Sequence, residues 1–520
     1  MSFRVTYSVV NADLSALHRE FDAALASLRS AFGKTFPSWV DGRPLESGDW
    51  LESRTPSDGR VLLARFHRAP TAEIGRAVEI AHRAQARWAK APWQERVQRM
   101  ADAADLISKR RMEIAAVASL EVGKNRLESL GDVEESADLL RYYGSQVTEA
   151  NGFARPLGKL SAREDTRDLL RPYGVFAVVS PFNFPMALAA GMSGAALLAG
   201  NAVILKPSEA TPWCAQLLYA CLRDAGLPDG VFQVLHGEGE TVGAALARHP
   251  GIDGVAFTGS TRVGMELFRL MSTDRVRPCL LEMGGKNAAV VCESASLDDA
   301  VEGCARSTFG LSGQKCSALS RIYVAKALHA KFLERLSERA QAITVGDPTR
   351  ADVFMGPVID GEAVERYGRA CAEARARGTV HAGGARLTEG ELRHGHFVAP
   401  TVVSVPRGDR LEREELFLPF VTVDAFDSYD EALGLVNAVD YGLTAGIFSQ
   451  RAEEIDGFMD RAQAGVLYAN RATGATTGAW PGVQSFCGWK ASGSTGKGGC
   501  GPYYVAQFAR EQSQTRMGST

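Results

Sequence analysis

One cysteine in this sequence lies in a setting that could support covalent chemistry. Cys316 follows Gly313, Gln314 and Lys315 in the segment GQKCSA, at the end of the small-residue stretch STFGLSG. A flexible glycine turn can expose the sulfur, and the thiolate form of cysteine is a nucleophile. Most cysteines are small buried apolar side chains, and we interpret the remainder of the nine in this way. On its own, the motif leaves both interpretations of Cys316 open.

Two polar side chains could assist such a nucleophile. Glu282 ends an apolar run in LEMGGKN, beside Gly284 and Gly285, where a carboxylate can move and activate water for thioester hydrolysis. Asn183 lies between two prolines in SPFNFP, a rigid turn from which an amide could donate to an oxyanion, together with the backbone N–H of the cysteine. The alternatives are a capping or salt-bridged glutamate and a structural turn asparagine.

Two further motifs could bind a dinucleotide. In KPSE, Lys206 and Glu209 follow a predicted strand and could reach ribose hydroxyls or a phosphate. In FTGSTRVG, Gly259, Ser260 and Gly264 open a predicted helix whose N-terminus suits a pyrophosphate. The spacing differs from the G-x-G-x-x-G fingerprint, and ordinary glycines between a strand and a helix explain it about as well.

The elements that must position these residues form an α/β pattern. Long helices are predicted over 72–90 and 93–124, because apolar residues recur there at helical spacing. The runs VFAVVS, NAVILK, FQVLHG, GVAFTGS and AAVVCE then alternate with helices and predict a doubly wound parallel sheet. A second lobe is predicted from RIYVA, KFLERLSERAQA, GHFVAPTVVSV, FVTVDAF and AGVLYANR.

Length and composition limit the function classes. A chain of 520 residues exceeds what one hydrophobic core usually supports, which predicts two or three lobes. A net charge of -3 gives no basic signature for nucleic acid. The cysteines lack the spacing of a disulfide framework or a metal site, which favours a reducing cytoplasm. The uncharged stretch 172–205 contains prolines and asparagines, so we expect buried strands around a helix rather than a membrane span.

Taken in order, the motifs SPFNFP, KPSE, FTGSTRVG, LEMGGKN, GQKCSA and EELFLPF resemble the aldehyde dehydrogenase superfamily over almost the whole chain. The resemblance implies Cys316 as nucleophile, Glu282 as general base and Asn183 as oxyanion donor, with Lys206 in catalytic support. It also implies NADP as cofactor, with NAD as the alternative. The implied cofactor contacts are Ser180, Pro181, Phe182, Lys206, Ser208, Glu209, Gly239, Gly243, Phe257, Ser260, Val263, Gly284, Glu415 and Phe417.

The resemblance further implies an aldehyde dehydrogenase fold. A Rossmann-like cofactor domain is expected over 1–148 and 172–283, and an α/β catalytic domain over 284–480. A small β oligomerisation arm is expected over 149–171 and 496–520, and it would make a homodimer or a dimer of dimers. From composition alone, a frayed tail explains the last segment equally well.

Within the family, YANRATGA and the ending SGSTGKGGCGPYYV resemble the pyrroline-5-carboxylate dehydrogenase branch. The chain departs from that branch where a longer loop follows TGA and PFGG is replaced by Ser485, Phe486, Cys487 and Gly488. Among relatives with such a loop it resembles the branch that oxidises 3,4-dehydroadipyl-CoA semialdehyde in aerobic benzoate degradation. We therefore expect a CoA-linked aldehyde as substrate, with glutamate semialdehyde as the alternative.

A bulky CoA-linked aldehyde would need a wide channel. The small residues Ala187, Ala189, Ala190 and Gly191 could provide it, although helix packing explains them as well. Three other functions compete with this one. A CoA-acylating dehydrogenase would not need Glu282, a cysteine hydrolase would need a paired histidine that no motif supplies, and a structural protein would be expected to have lost Cys316 or Glu282.

Overall fold

A computed structural model describes residues 14–472 and 479–518. The strands are β1 (Lys34–Phe36), β2 (Ser38–Val40), β3 (Arg43–Leu45), β4 (Trp50–Arg54), β5 (Leu62–His67), β6 (Ala154–Pro156), β7 (Glu164–Pro172), β8 (Val175–Val179), β9 (Ala202–Lys206), β10 (Phe232–Val234), β11 (Gly254–Thr258), β12 (Cys279–Glu282), β13 (Asn287–Val291), β14 (Leu319–Ala325), β15 (Thr379–Ala382), β16 (Thr401–Ser404), β17 (Phe420–Phe426), β18 (Tyr441–Gly442), β19 (Thr444–Phe448), β20 (Val466–Ala469), β21 (Trp489–Lys490) and β22 (Ala509–Met517). The helices are α1 (Ser15–Leu28), α2 (Ile74–Trp88), α3 (Trp93–Lys109), α4 (Arg111–Val122), α5 (Arg126–Glu149), α6 (Ala187–Leu198), α7 (Pro212–Asp224), α8 (Ala244–Arg248), α9 (Thr261–Met271), α10 (Leu297–Phe309), α11 (Lys326–Gln341), α12 (Gly361–Arg377), α13 (Arg410–Arg413), α14 (Tyr429–Asn437) and α15 (Ala452–Arg461).

The first large sheet has the order β12-β11-β8-β9-β10-β2-β3. Strands β8 to β12 pair in parallel, and the hairpin β2–β3 extends the edge beyond β10. Alternate residues face opposite layers, so Phe176 packs in the core with α3 to α7 whereas Val175 packs in the core with α2, α8 and α9. The strand order reverses between β8 and β11, and ligands of such sheets bind at the carboxyl ends of the strands at this point.

The second large sheet has the order β15-β16-β17-β14-β13-β19-β20. The run AAVVCE forms β13 and belongs to this second sheet, because β13 pairs with β14 and β19. The sequence pattern instead placed this run in the first sheet, after the four strands that precede it. The first sheet is completed instead by β12. The change from one sheet to the other falls between Glu282 and Asn287, the end of β12 and the start of β13.

The helices before the first sheet differ from the prediction in two ways. The predicted helix over 93–124 is two helices, α3 and α4, separated at Arg110. Helix α5, the 24-residue helix that follows, has no counterpart in the sequence analysis. Its buried positions include Asp132, Ser136 and Asp138, and these polar residues obscure the apolar period that a buried helix normally shows.

A three-stranded sheet with the order β22-β7-β6 forms the arm. Strand β22 pairs antiparallel with β7 of the same chain, from Ala509↔Pro172 to Met517↔Glu164. Tyr504 and Phe508 are buried in the core of the first lobe, so the described arm strand of the tail begins at Ala509 rather than near 496. The expected contact of this arm with a second subunit stays a prediction.

The uncharged stretch 172–205 forms β8, α6 and β9, as the sequence analysis predicts. Over residues 14–472 and 479–518, no helix combines the length and the apolar character needed to cross a membrane.

Candidate functional site

A cavity of about 110 Å³ lies between α5, α6 and the segment that contains Cys316. Cys316 and Glu282, which the sequence analysis paired, both line it. Most of the other lining side chains are apolar or aromatic. The remaining lining residues are Glu135, Leu139, Tyr143, Phe184, Ala187, Leu188, Gly191, Met192, Thr258, Lys315, Ser317, Ala479, Phe486, Gly499, Cys500 and Tyr504.

The turn before Cys316 is rigid, although its glycine suggested flexibility. Leu311, Ser312 and Gly313 all have positive φ, at 50°, 53° and 67°. The Ser312 hydroxyl donates to the carbonyl of Gly356, and a side chain at position 313 would collide with the carbonyl of Leu418. The glycine of GQKC is therefore required by its φ and by close packing.

Asn287, at the start of β13, holds the segment that contains Cys316, the nucleophile segment, by hydrogen bonds. Its amide nitrogen donates to the carbonyls of Cys316 (2.7 Å) and Ala318 (2.9 Å), and its oxygen accepts from the N–H of Thr444. A Cβ added at Gly285 would lie 2.6 Å from the carbonyl oxygen of Cys316. The glycine at position 285 therefore allows LEMGGKN to approach the nucleophile segment closely. The sequence analysis missed the role of Asn287, whose signal was its position as the last residue of the motif.

Asn183 is buried, and its amide nitrogen donates to the carbonyl of Gln314 at 3.0 Å. This bond joins the SPFNFP turn to the segment before Cys316 and leaves a second amide N–H for another acceptor. The turn is supported by Asp132, whose carboxylate accepts from the N–H of Ala187 (2.8 Å) and from Lys124 (3.1 Å). The Asp132 contacts, which the sequence analysis missed, fix the start of α6.

Burial controls the ionisation of the two reactive side chains. It raises the pKa of the Cys316 thiol to about 12, and the charges of Glu415 and Glu282 act in the same direction. The backbone N–H groups of Ser317 and Cys316 oppose this shift. Burial also raises the pKa of Glu282 well above its ordinary value, partly offset by the N–H of Gly488. A neutral thiol therefore faces a carboxyl group whose proton affinity is high.

Lys206 and Glu209 form an ion pair of 2.9 Å at the carboxyl end of β9. Burial acts to raise the pKa of Glu209, but the charge of Lys206, its hydrogen bond and the N–H of Gly239 hold it below its ordinary value. Gly243 lies against the Lys206 side chain, and Ser208 is half-buried beside the pair. The structure thus brings together the residues predicted from KPSE and from the glycines near 240.

Helix α9 begins at the carboxyl end of β11, as FTGSTRVG predicts. The hydroxyl of Ser260 accepts from the N–H of Val263 and caps the helix. Phe257 lies in the core, and its ring fills the space that a side chain at Gly259 would occupy. Phe257 therefore supports the turn, and its cofactor contact stays a prediction.

The remaining predicted contacts surround LEMGGKN. The Glu415 carboxylate accepts from the N–H of Gly285 at 3.0 Å and fills the space beside Gly284. Phe417 packs edge-on against Phe182 with ring centroids 5.9 Å apart. Burial raises the pKa of Glu415 to about 7, although the N–H of Gly285 and the charges of nearby cations act to lower it. Ser180 and Pro181 precede Phe182 at the end of β8.

The predicted contacts in SPFNFP, KPSE and FTGSTRVG fit a bound dinucleotide. They lie at the carboxyl ends of β8, β9 and β11, on both sides of the point where the strand order reverses, and a capped helix N-terminus faces the same edge. Fold and site together define an oxidoreductase that joins a nucleotide-binding sheet to a thiol-containing cavity. The aldehyde dehydrogenase family model matches residues 39–513, and the chain belongs to this family.

The chain is similar to proteins of one branch of the family. It is 33% identical over 510 residues to 1-pyrroline-5-carboxylate dehydrogenase 1 of Halalkalibacterium halodurans, covering 97% of each chain. It is 34% identical over 498 residues to the 1-pyrroline-5-carboxylate dehydrogenase of Bacillus mycoides, covering 94% of each. The solved structure of 1-pyrroline-5-carboxylate dehydrogenase from Thermus with bound NAD has a TM-score of 0.93, 32% identity and 99% coverage of both chains.

These relatives support the alternative substrate rather than the CoA-linked one. In the part of the chain that the structure describes, small residues of α6 bring this helix close to α5. A Cβ at Gly191 would lie 3.0 Å from Leu139, and Gly194 lies against Leu140. Ala189 and Ala190 are buried in the core, while Ala187 and Gly191 also line the cavity. Close packing of α5 on α6 is the main use of these residues.

Proposed function

We propose that this enzyme oxidises an aldehyde to a carboxylic acid through a thioester on Cys316. The observation that carries the proposal is that Cys316 and Glu282 line one cavity at the carboxyl edge of the nucleotide-binding sheet. Most of the side chains that line the cavity are apolar, so hydrolysis of a thioester formed there would depend on a water that a polar group of the site activates.

Each reactive group has a role in this proposal. The Cys316 thiol loses its proton to Glu282 and attacks the aldehyde carbon, forming a thiohemiacetal. The free N–H of Asn183 and the backbone N–H of Cys316 stabilise the oxyanion. The hydride acceptor for this adduct would be NAD(P), held by Lys206, Glu209 and the N-terminus of α9. Glu282 passes the thiol proton to solvent and then, as a carboxylate, takes a proton from the water that attacks the thioester, which releases the carboxylic acid and the Cys316 thiol.

For the cofactor, we propose NAD, with NADP as the alternative. The expected preference for NADP required Glu209 to swing aside for a phosphate. The ion pair with Lys206 instead holds the Glu209 carboxylate at the strand end, where it can accept from ribose hydroxyls. The Thermus relative, which carries NAD, supports the same choice.

For the substrate, we propose glutamate semialdehyde, which the names of the relatives support. The proposal extends to semialdehydes of similar size, because the cavity of about 110 Å³ suits a short side chain. The loop that departs from the branch, over 474–488, lies partly outside the described residues.

The test is reduction of NAD and NADP by the purified enzyme with glutamate semialdehyde and with a CoA-linked semialdehyde. We expect turnover with glutamate semialdehyde and a lower KM for NAD than for NADP. Cys316→Ala should reduce oxidation to background while calorimetry shows cofactor binding unchanged, because the thiol is the attacking group. Turnover by Cys316→Ala at the wild-type rate would exclude the mechanism, and turnover with the CoA-linked aldehyde alone would exclude the substrate.

A further inference from the structure

Two consecutive residues of the turn before Cys316 have a backbone conformation that is costly for any residue with a side chain. Leu311 and Ser312 have φ of 50° and 53°, in the left-handed region, and both are buried. Such residues persist only where the surrounding structure holds them in place. The turn before Cys316 therefore depends on contacts from elsewhere in the fold.

Part of this support comes from the segment 354–359, which we call the strap. The Ser312 hydroxyl donates to the carbonyl of Gly356 at 2.8 Å. Two residues further along the turn, the side-chain oxygen of Gln314 accepts from the N–H of Ile359 at 2.9 Å. The strap thus binds the turn at two positions, through two different side chains of the turn.

The strap is itself held near both of its ends. At its first residue, the carbonyl of Phe354 accepts from the side-chain amide of Asn125, the N-cap of α5, at 2.8 Å. Towards its other end, the N–H of Val358 donates to the carbonyl of His396 at 3.0 Å. The turn before Cys316 is therefore bound to a segment that is fixed by other parts of the chain.

Gln314 connects the strap to Asn183, the expected oxyanion donor. The main-chain carbonyl of Gln314 accepts one N–H of the Asn183 amide at 3.0 Å. The amide group is planar, so a bond to one N–H restricts the direction of the other. Gln314 is fully buried, and its side-chain nitrogen has no hydrogen-bond partner among the described residues. Its side-chain oxygen is therefore the atom through which the strap holds it.

We propose that Gln314 is a positioning residue that aligns the Asn183 amide with the backbone N–H of Cys316, the second expected oxyanion donor. This inference rests on the proposed function, because the oxyanion forms only when an aldehyde reacts with Cys316. The strap holds the Gln314 side chain, and the Gln314 carbonyl holds the Asn183 amide. The second N–H of that amide then faces the oxygen of the thiohemiacetal. Gln314 acts through Asn183 rather than on the aldehyde.

The test measures kcat/KM for glutamate semialdehyde at saturating NAD, because this constant includes the attack by the thiol. Gln314→Leu keeps the approximate size of the side chain but cannot accept from Ile359. It should lower kcat/KM by roughly 10- to 100-fold, somewhat less than the loss of about 100- to 1000-fold that follows complete removal of an oxyanion donor. Gln314→Glu keeps an oxygen in that place and should stay close to the wild-type value. The KM for NAD should not change in either variant.

A double-mutant cycle with Asn183→Ala separates alignment from general damage. Because Gln314 acts through Asn183, adding Gln314→Leu to Asn183→Ala should lower kcat/KM little further. The matched control is Gln233→Leu, since Gln233 is equally buried and its side chain donates to the carbonyl of Ala77 at 2.9 Å, within the first lobe. This control should keep the wild-type kcat/KM, even where its melting temperature falls. Losses that multiply in the double variant would overturn the alignment.

Ser312→Ala supplies a second variant in case Gln314→Leu does not fold, as judged by circular dichroism. It removes the other bond to the strap, so kcat/KM should fall in the same direction, and the loss should again disappear in the Asn183→Ala background. Wild-type kcat/KM in a folded Gln314→Leu, or in Ser312→Ala where the leucine variant is unfolded, would overturn the alignment alone. A wild type that oxidises no semialdehyde would overturn the proposed function and the alignment with it.

Discussion

At the scale of single residues, the reactive groups are defined more by burial than by charge partners. Burial raises the pKa of Cys316, and the neighbouring carboxyl groups of Glu415 and Glu282 act in the same direction. Glu282 has one buried carboxyl oxygen without a hydrogen-bond partner among the described residues. An unpartnered buried oxygen is costly, and it is available to a proton or a water. Both side chains line one cavity, as the proposed proton transfer between them requires.

This arrangement predicts the behaviour of Glu282→Gln. Glutamine retains the shape of the side chain but cannot accept the proton, so thioester hydrolysis should slow by roughly 100-fold or more. Steady-state turnover should fall while some hydride transfer survives as an initial burst. Rapid-mixing absorbance measures the burst, and intact-mass analysis detects the acyl-enzyme. A variant that turns over normally, or stalls without any acyl adduct, would contradict the role of Glu282.

At the scale of elements, glycines and one asparagine set the distance between strands and the nucleophile segment. Gly285 lets the carbonyl of Cys316 approach β13, and Asn287 then binds that carbonyl. LEMGGKN was interpreted as a carboxylate with room to move. The structure shows instead that its glycines serve the packing of Glu415 and of the nucleophile segment.

We expect Gly285→Ala to lower activity with a folded protein. Its Cβ would lie 2.6 Å from the carbonyl oxygen of Cys316, so the nucleophile segment must move. A displacement of about 1 Å can cost roughly 100-fold in rate. The measurement is kcat with saturating cofactor and aldehyde, beside circular dichroism. Gly434→Ala, an exposed helical position with open space around it, serves as the matched control and should keep wild-type kcat. Equal kcat in both variants would refute this account.

At the scale of the whole molecule, the first lobe contains a buried histidine that links its edge hairpin to the cofactor edge. His236 is fully buried, and the side-chain nitrogen of Gln216 lies 2.6 Å from its Nε2, while the oxygen of Gln216 accepts from the indole N–H of Trp39 in β2. Burial, followed by the charge of Lys206, lowers the pKa of His236 to about 3. The histidine is therefore neutral in the folded state at neutral pH.

His236 should make the protein sensitive to acid. Its folded pKa lies below its ordinary value of 6.5, so between these pH values the unfolded chain binds the extra proton. Stability from this group is complete above pH 6.5 and falls as the pH is lowered, by up to about 1.4 kcal/mol per pH unit. His236→Gln should reduce the slope of melting temperature against pH on the acid side. The partly exposed His394→Gln should leave it unchanged, and equal slopes for wild type and His236→Gln would contradict the assignment.

The sequence predicted the elements of the sheets better than their assembly. Runs of β-branched and aliphatic residues identified β8 to β11, and the ordered motifs identified the family. The run at β13 was assigned to the first sheet because a local pattern cannot show which distant strand it pairs with. Helix α5 was not predicted because its buried face carries the polar residues Asp132 and Ser136, and one partner of Asp132, the N–H of Ala187, lies far along the chain. The expected roles of Cys316, Glu282, Asn183 and the cofactor contacts stay predictions until they are measured.

The face of α5 that lines the cavity has a consequence for how the enzyme can be redesigned. Leu139 and Tyr143 shape the cavity, yet the bonds that hold Cys316 and Asn183 in place come from Asn287 and Gln314. The cavity-facing positions are thus distinct from Asp132, the residue of the same helix that supports the SPFNFP turn. A library of variants confined to that helix face would explore new aldehydes while the reacting atoms keep their geometry. The fold is in this sense modular, and its substrate range is the part most open to engineering.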